Sequence, residues 1–301
     1  MQPASQRTAA YGYLLFALVS WGSLYVASKY VLETVPSFTL LFFRYLIAVA
    51  LLLALYKKKL QFPSGKKVRV YILLIGLVGY FLAIGLQLLG THYCTASMAS
   101  LITSMNPAMI ILLAAILLRE TITVKKGLAV AVTLVGTIVV IGNLGTGNTA
   151  IGVVFSFASM VGWSLTSVLV RLATRTVDAI TVTVYGMSIG LVCALPAAAV
   201  ESKLTGFTLT SMTLPVVLWI VYIGVVCTAG GLLFWNKALE RLDAATCSLF
   251  YPVQPLTSAI LSILILGEVL TLNFIVGGIL IISGILFAVL TERSDGKRSI
   301  K

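Results

Sequence analysis

Acidic residues are scarce in this chain: nine of 301, against 21 lysines and arginines, with a single histidine. That shortage excludes much chemistry. A membrane or soluble enzyme needs a convergent set of acid, base, nucleophile or metal ligands. No HExxH motif and no cluster of such residues occurs. Cys94, Cys193, Cys227 and Cys247 sit at neither metal nor redox spacing, and each lies in or beside an apolar run. They read as free thiols packed as small hydrophobes. Charged residues make up only 10% of the chain, where a soluble domain has about 25%. No enzyme, metal or cofactor is expected.

What the sequence has instead is apolar length. Hydrophobic residues are 59% of the total, and the mean hydropathy is +1.08. Runs of roughly 20 apolar residues recur, each long enough to cross a hydrocarbon core of about 30 Å. The spacing predicts an all-α integral membrane protein with spans at 11–31, 37–56, 69–89, 94–117, 123–142, 150–172, 180–200, 214–236, 244–266 and 270–290. The first run is too long for a cleavable signal and carries Trp21 and Lys29. Connections are short, so neighbouring helices are expected to pack antiparallel.

The formal charge of +12 is placed on one side. "YKKKLQFPSGKKVR", "RETITVKK", "RLATR", "NKALERLD" and the tail "TERSDGKRSIK" share it, while the opposite loops hold only Lys203 as a base. By the positive-inside rule both termini are cytoplasmic. The charge then orients the chain in the lipid bilayer, and no nucleic-acid partner is expected.

The chain also repeats itself. "SLITSMNPAMIILLAAILLRE" at 100–120 aligns with "SLFYPVQPLTSAILSILILGE" at 248–268. A shift of 148 residues pairs Pro107 with Pro255, Glu120 with Glu268, Gly76 with Gly224 and Gly136 with Gly284. Earlier in each half a shift of 142 pairs Trp21 with Trp163 and Lys29 with Arg171. Five spans per half is an odd number, so the second copy enters the membrane upside down. This predicts two inverted-topology repeats, 1–143 (spans 1–5) and 144–290 (spans 6–10), with a cytoplasmic basic tail at 291–301. Many secondary transporters are built this way.

The motifs "VSWGSLYVASKY", "FFRYLIA", "TSMNPAMIILLAAILLRETIT" and "YPVQPLTSAILSILILGEVLT" together resemble the EamA family of the drug/metabolite transporter superfamily. The resemblance covers about residues 11–290. It implies ten helices in two inverted halves around a central cavity, and export of amino acids or other small metabolites. Sugar-phosphate and nucleotide-sugar carriers are relatives of that family, so anionic substrates are the alternative. A bacterial inner membrane is expected partly on the same ground, with a monomer as the favoured state.

Individual residues divide between a cavity and packing. Pro107 and Pro255 each remove a backbone donor within an apolar run, freeing the carbonyls of Thr103 and Tyr251. Asn106 and Gln254 precede them, so polar groups gather at one depth in both halves. These are expected either to kink two helices that line a substrate site or to be packing kinks whose amides bond neighbours. Pro252 adds a second break in one half only. Trp21 and Trp163 lie near mid-depth, and Tyr25, Tyr80 and Tyr251 add aromatic walls; Trp235 is either another wall or an interfacial anchor. Arg44 lies two turns into the second span, where a charge is costly. It is either a snorkelling anchor or a cavity cation for a substrate carboxylate, and Lys29 shares both readings. Gln87 and His92 lie at the outer end of the third span. Glu120 and Glu268 stand between consecutive spans, as caps of helix N-termini or as a gating ion pair. No acid falls at mid-membrane, so a facilitator or exchanger is expected rather than a carboxylate proton shuttle. Gly79 with Ala83, Gly152 with Ser156 and Gly284 with Ala288 allow close helix contact. The fifth and tenth spans carry only hydroxyls as polar groups and are expected to stand away from the cavity.

Overall fold

In lipid a backbone must satisfy its own polar groups, and a long apolar sequence does this as helix. The computed structural model describes residues 4–109, 113, 124–141, 147–242, 247 and 250–298. Among the described residues there is no strand. The helices are α1 (Ala4–Val31), α2 (Ser37–Tyr56), α3 (Lys66–Tyr93), α4 (Ala96–Thr103), α5 (Val124–Ile141), α6 (Ala150–Ala173), α7 (Ala179–Thr205), α8 (Leu214–Arg241), α9 (Val253–Leu266) and α10 (Leu272–Arg298). Six of the described helices are long and apolar enough to cross a membrane: α1, α2, α3, α6, α7 and α8. Apolar stretches in α5, α9 and α10 are shorter. The outward faces are apolar too. Ile138, Val192 and Leu264 are exposed by 69%, 70% and 74%, which a bilayer accommodates and water does not.

Helix starts follow local chemistry. Pro36 precedes α2 in an extended conformation. Thr95, Thr149 and Asp178 accept the N–H of Met98, Gly152 and Thr181 at the starts of α4, α6 and α7. Each satisfies one orphan donor of a first turn.

Pro107, Pro252 and Pro255 stand at helix starts rather than at kinks within helices. α4 stops at Thr103, a turn follows at Ser104 and Met105, and helix resumes over 106–109. Pro107 therefore sits in a first turn, where a missing N–H costs little. The Thr103 carbonyl accepts the Asn106 side-chain amide. Pro252 caps α9 and Pro255 lies in its first turn. There the Tyr251 carbonyl accepts the Gln254 backbone N–H at 3.1 Å.

Three of the described helices change winding: α9 over Ser262–Leu266 at its end, and α3 and α8 at matching positions. α3 is π-helical over Ile75–Ala83, and α8 over Ile223–Gly230. The 148-residue shift places one start on the other. The contacts there also match. A Cβ at Gly76 would lie 2.5 Å from Ile189 Cβ and 2.9 Å from the Gly186 carbonyl, on α7. A Cβ at Gly224 would lie 2.8 Å from Ile47 Cβ and 3.3 Å from the Arg44 carbonyl, on α2. The 142-residue shift carries Ile47 to Ile189 and Arg44 to Gly186. α5 and α10 pack on each other at the periphery. A Cβ at Gly136 would meet the Gly277 carbonyl and Ile281 N–H, and one at Gly284 the Ala129 carbonyl and Thr133 N–H. These too are equivalent positions.

Candidate functional site

α1, α2, α3, α4, α6, α8 and α9 surround a narrow cavity, whose non-atom space amounts to about 450 Å³ with the open solvent at its mouth included. Neither α5 nor α10 reaches it. Seven sequence-predicted residues line it: Trp21, Tyr25, Arg44, Gln87, Asn106, Trp163 and Gln254. Three pairs among the lining residues are related by the repeat shifts. They are Trp21 with Trp163, Ile84 with Leu232, and Asn106 with Gln254.

The aromatic wall starts from the two tryptophans, whose rings meet edge to face at 5.5 Å. Trp21 Nε1 donates to the Cys227 carbonyl at 3.2 Å, within the π-helical part of α8. A π turn leaves its carbonyls less well paired by backbone, and an indole from another helix takes one. Tyr80 and Tyr251 stand behind this wall. Tyr80 stacks on Trp163 at 6.2 Å, and its hydroxyl accepts the Asn236 amide at 3.0 Å. Tyr251 packs edge to face on Trp235 at 5.3 Å. Trp235 is 2% exposed and lies 5.2 Å from Trp21, so it is a buried support and not an interfacial anchor.

A polar relay faces the tryptophans. Gln87 Nε2 donates to the Tyr25 hydroxyl, which bonds Thr103 Oγ1. Thr103 in turn donates to the Ala99 carbonyl at 3.0 Å. Gln254 Nε2 reaches the same Thr103 oxygen at 3.4 Å. Asn106 accepts at Oδ1 from Ser164 Oγ at 2.8 Å. Buried polar groups connected this way hold one geometry.

Arg44 is 1% exposed. Its Nε donates to Thr228 Oγ1 at 2.8 Å, on the α8 π turn. Its Nη1 is buried and bonds no protein atom. Its guanidinium carbon lies 5.9 Å from the centroid of the Tyr45 ring. This is no snorkelling anchor, because the head does not reach a surface. Lys29 takes the other path. Its Nζ donates to the carbonyls of Thr91, His92 and Cys94 at 3.2, 2.9 and 2.7 Å, which ties α1 to the end of α3 away from the cavity. The His92 ring packs edge to face on Tyr93 at 4.8 Å.

Glu268 is a cap, but of a helix other than the next one. Its Oε1 accepts the Ala96 N–H at 2.7 Å, and Oε2 accepts the Ser97 hydroxyl at 2.6 Å, at the start of α4. Glu201, at the end of α7, does the same for α2, accepting the N–H of Phe38 and Thr39 at 2.8 and 2.9 Å. Glu120 lies outside the described residues. Cys94 and Cys227 are buried, as small hydrophobes are. Among the described residues no group of histidine, cysteine and acid residues is arranged to hold a metal.

Leu24, Ile84, Ser159 and Leu232 also line the cavity and were not singled out from sequence, and Thr103, noted there only for its carbonyl, lines it as well. The signals were present. Ser159 lies one turn before Trp163, and Leu24 three residues after Trp21, on the same helix faces. Leu232 follows from Ile84 by the repeat shift.

The family model and the named relatives agree on one class. The model of the EamA-like transporter family matches residues 8–142 and again 150–290. An uncharacterized transporter of Bacillus subtilis, YetK, is 27% identical over 96% of this chain and 89% of its own length. A second from the same organism, YyaM, is 27% identical over 80% of each. An uncharacterized transporter of Archaeoglobus fulgidus is 25% identical over 90% of this chain and 94% of its own. A solved crystal structure shares the fold, with a TM-score of 0.66 over 97% of this chain and 99% of that one at 21% identity. The chain is a multi-pass membrane transporter and belongs to the EamA-like transporter family.

Proposed function

We propose that this protein is a secondary transporter that exports small metabolites, such as amino acids or similar amphipathic compounds, by alternating access. It crosses a bacterial inner membrane ten times, as two inverted five-helix repeats with both termini in the cytoplasm. The observation that carries this reading is the cavity lining. Trp21 and Trp163, Ile84 and Leu232, and Asn106 and Gln254 come in equivalent pairs from the two copies. A site built from equivalent positions of two repeats can be opened by either repeat's movement against the other. The pocket suits a compound with an apolar body and a few polar groups. Trp21, Tyr25, Arg44, Gln87, Asn106, Trp163 and Gln254 touch the substrate, and Tyr80 and Tyr251 hold Trp163 and Trp235 behind it. Pro107, Pro252 and Pro255 mark the breaks at which α4 and α9 flex. Export of sugar phosphates or nucleotide sugars needs several cations in the cavity, and Lys29 is engaged elsewhere.

Expression in a sensitive bacterium, challenged with toxic amino-acid analogues, quaternary amines and dipeptides, tests the reading. Protection by the wild type, lost in Trp163→Ala at equal membrane abundance, is the expected result. Protection that persists in Trp163→Ala would remove the cavity from the route. Accumulation driven by a pH gradient alone in vesicles would overturn the facilitator or exchanger mode.

A further inference from the structure

We infer that the substrate is a small monocarboxylate with an apolar body, its carboxylate held by the Arg44 guanidinium. The inference rests on the cavity being the transport site. Among the described residues Arg44 is the only Lys or Arg that lines the cavity, and no described Asp or Glu lines it. The described acids are placed elsewhere. Asp178, Glu201 and Glu268 cap helices, and Glu33 and Glu240 are exposed. Among the described residues the cavity therefore carries one positive charge with no protein counter-charge. Such a charge is expensive away from water unless an anion meets it.

The guanidinium is held for that role. Nε is fixed by Thr228, which leaves Nη1 without a protein partner beside a cavity wall. A planar fork fixed at one nitrogen keeps its remaining N–H groups for a carboxylate, which reaches the buried Nη1 once the cavity opens further. One cation selects a monoanion, since a dianion would bring an uncompensated charge into a low-dielectric site. An amine without a carboxylate finds no counter-charge among the described lining residues, so it is rejected, whereas an amino acid keeps its carboxylate for Arg44. The rest of the molecule lies against Trp21, Trp163, Leu24, Ile84 and Leu232. The charge also breaks the pairing of the two copies. The position equivalent to Arg44 is Gly186, where a Cβ would lie 2.9 Å from the Tyr80 ring. The carboxylate thus has one place to bind, on the α2–α8 side, and the substrate one orientation.

The test uses purified full-length protein. Ligand-dependent melting is measured with butanoate, hexanoate and 3-phenylpropanoate, with the primary amide of each, with 3-phenylpropylamine and with succinate. At least one monocarboxylate should bind tighter than its amide by about tenfold to a hundredfold, the worth of a hydrogen bond to a charged group. The amine and succinate should bind no better than the amides. Arg44→Gln should bind carboxylate and amide alike, and Arg44→Lys should keep part of the preference. Equal binding of acid and amide by the wild type, tighter binding of the amine, no binding by any of the three acids, or a preference kept in Arg44→Gln would each overturn the inference. The wild-type series decides even where Arg44→Gln does not fold. Counterflow of labelled 3-phenylpropanoate in proteoliposomes separates the two readings. Binding with carboxylate preference but no counterflow upholds the anion site and sinks the transport site. Counterflow of the amine without carboxylate binding does the reverse.

Discussion

α3 meets α7, and α8 meets α2, at equivalent positions of the two copies, and the two contacts agree at one turn and part at the next. Gly76 lies on Ile189 as Gly224 lies on Ile47. Beside them the fillings exchange. On one side Arg44 reaches across to Thr228. On the other, Gly186 leaves room for the Tyr80 ring. A large side chain has moved from one helix of the contact to the other, so the helices keep their separation while the chemistry changes. Backbone approach is thus held in common, and the polar groups that face the cavity have diverged. An interior packed as densely as a crystal permits such exchange only when volume is conserved across the pair.

Adding one carbon to the shared part should have the largest effect. Gly76→Ala and Gly224→Ala each place a Cβ within 2.8 Å of an isoleucine Cβ on the facing helix. Neither contact is with a flexible chain end. Each should cost about 3 kcal/mol, the upper end for overpacking. Gly12→Ala, with nothing within 4 Å of the new Cβ, is the control. Melting of the purified protein followed by size-exclusion chromatography reads the difference. Wild-type melting of Gly76→Ala beside a destabilised Gly224→Ala would show that the two contacts are not alike.

A middle-sized effect should separate the two amides. Asn106 joins the carbonyl freed by Pro107 to Ser164, while Gln254, among the described residues, reaches Thr103 at a long 3.4 Å and also interacts with the Tyr25 hydroxyl. Asn106→Ala leaves buried groups unpaired and should cost about 2 kcal/mol of stability. Gln254→Ala should melt close to the wild type and act on transport alone. Equal destabilisation of both would mean that the amides do the same work in each copy.

This difference was not legible in the sequence, where Asn106-Pro107 and Gln254-Pro255 look alike. What decides it is Pro252, which starts α9 so late that backbone satisfies the Tyr251 carbonyl. Six of the apolar spans, the doubling of the family pattern and the family resemblance could be read directly, because they rest on composition and order. The exclusion of α5 and α10 from the cavity could be read too, from their lack of mid-membrane amides and charges. Depth could not. Tyr80 and Tyr25 carry the same hydroxyl on similar apolar runs, yet one supports Trp163 from behind and the other lines the cavity. Helical periodicity gives the face of a residue but not which neighbour covers it. The same limit hid the targets of Glu268 and Glu201, which lie on helices remote in sequence.

Those two carboxylates give the smallest expected effect and the finest comparison. Each reaches from the end of one helical segment to the first N–H groups of another, Glu201 to α2 and Glu268 to α4. An anion there meets orphan donors and the positive end of the helix dipole. Glu201→Gln keeps the one acceptor oxygen and removes the charge, whereas Glu268→Gln also turns one of two accepting oxygens into an NH2 group that cannot accept. Each should lower stability by about 1 kcal/mol, less for a half-exposed group in salt. Their effects on transport should differ. α4 and the broken turn after it line the cavity through Thr103 and Asn106, so Glu268→Gln should change the rate of counterflow. α2 brings Arg44, whose guanidinium is held separately by Thr228, so Glu201→Gln should leave substrate preference as it was. Equal transport defects in the two variants would mean that both caps govern one motion, and the division between a shared framework and a divergent cavity would then fail at the membrane surface.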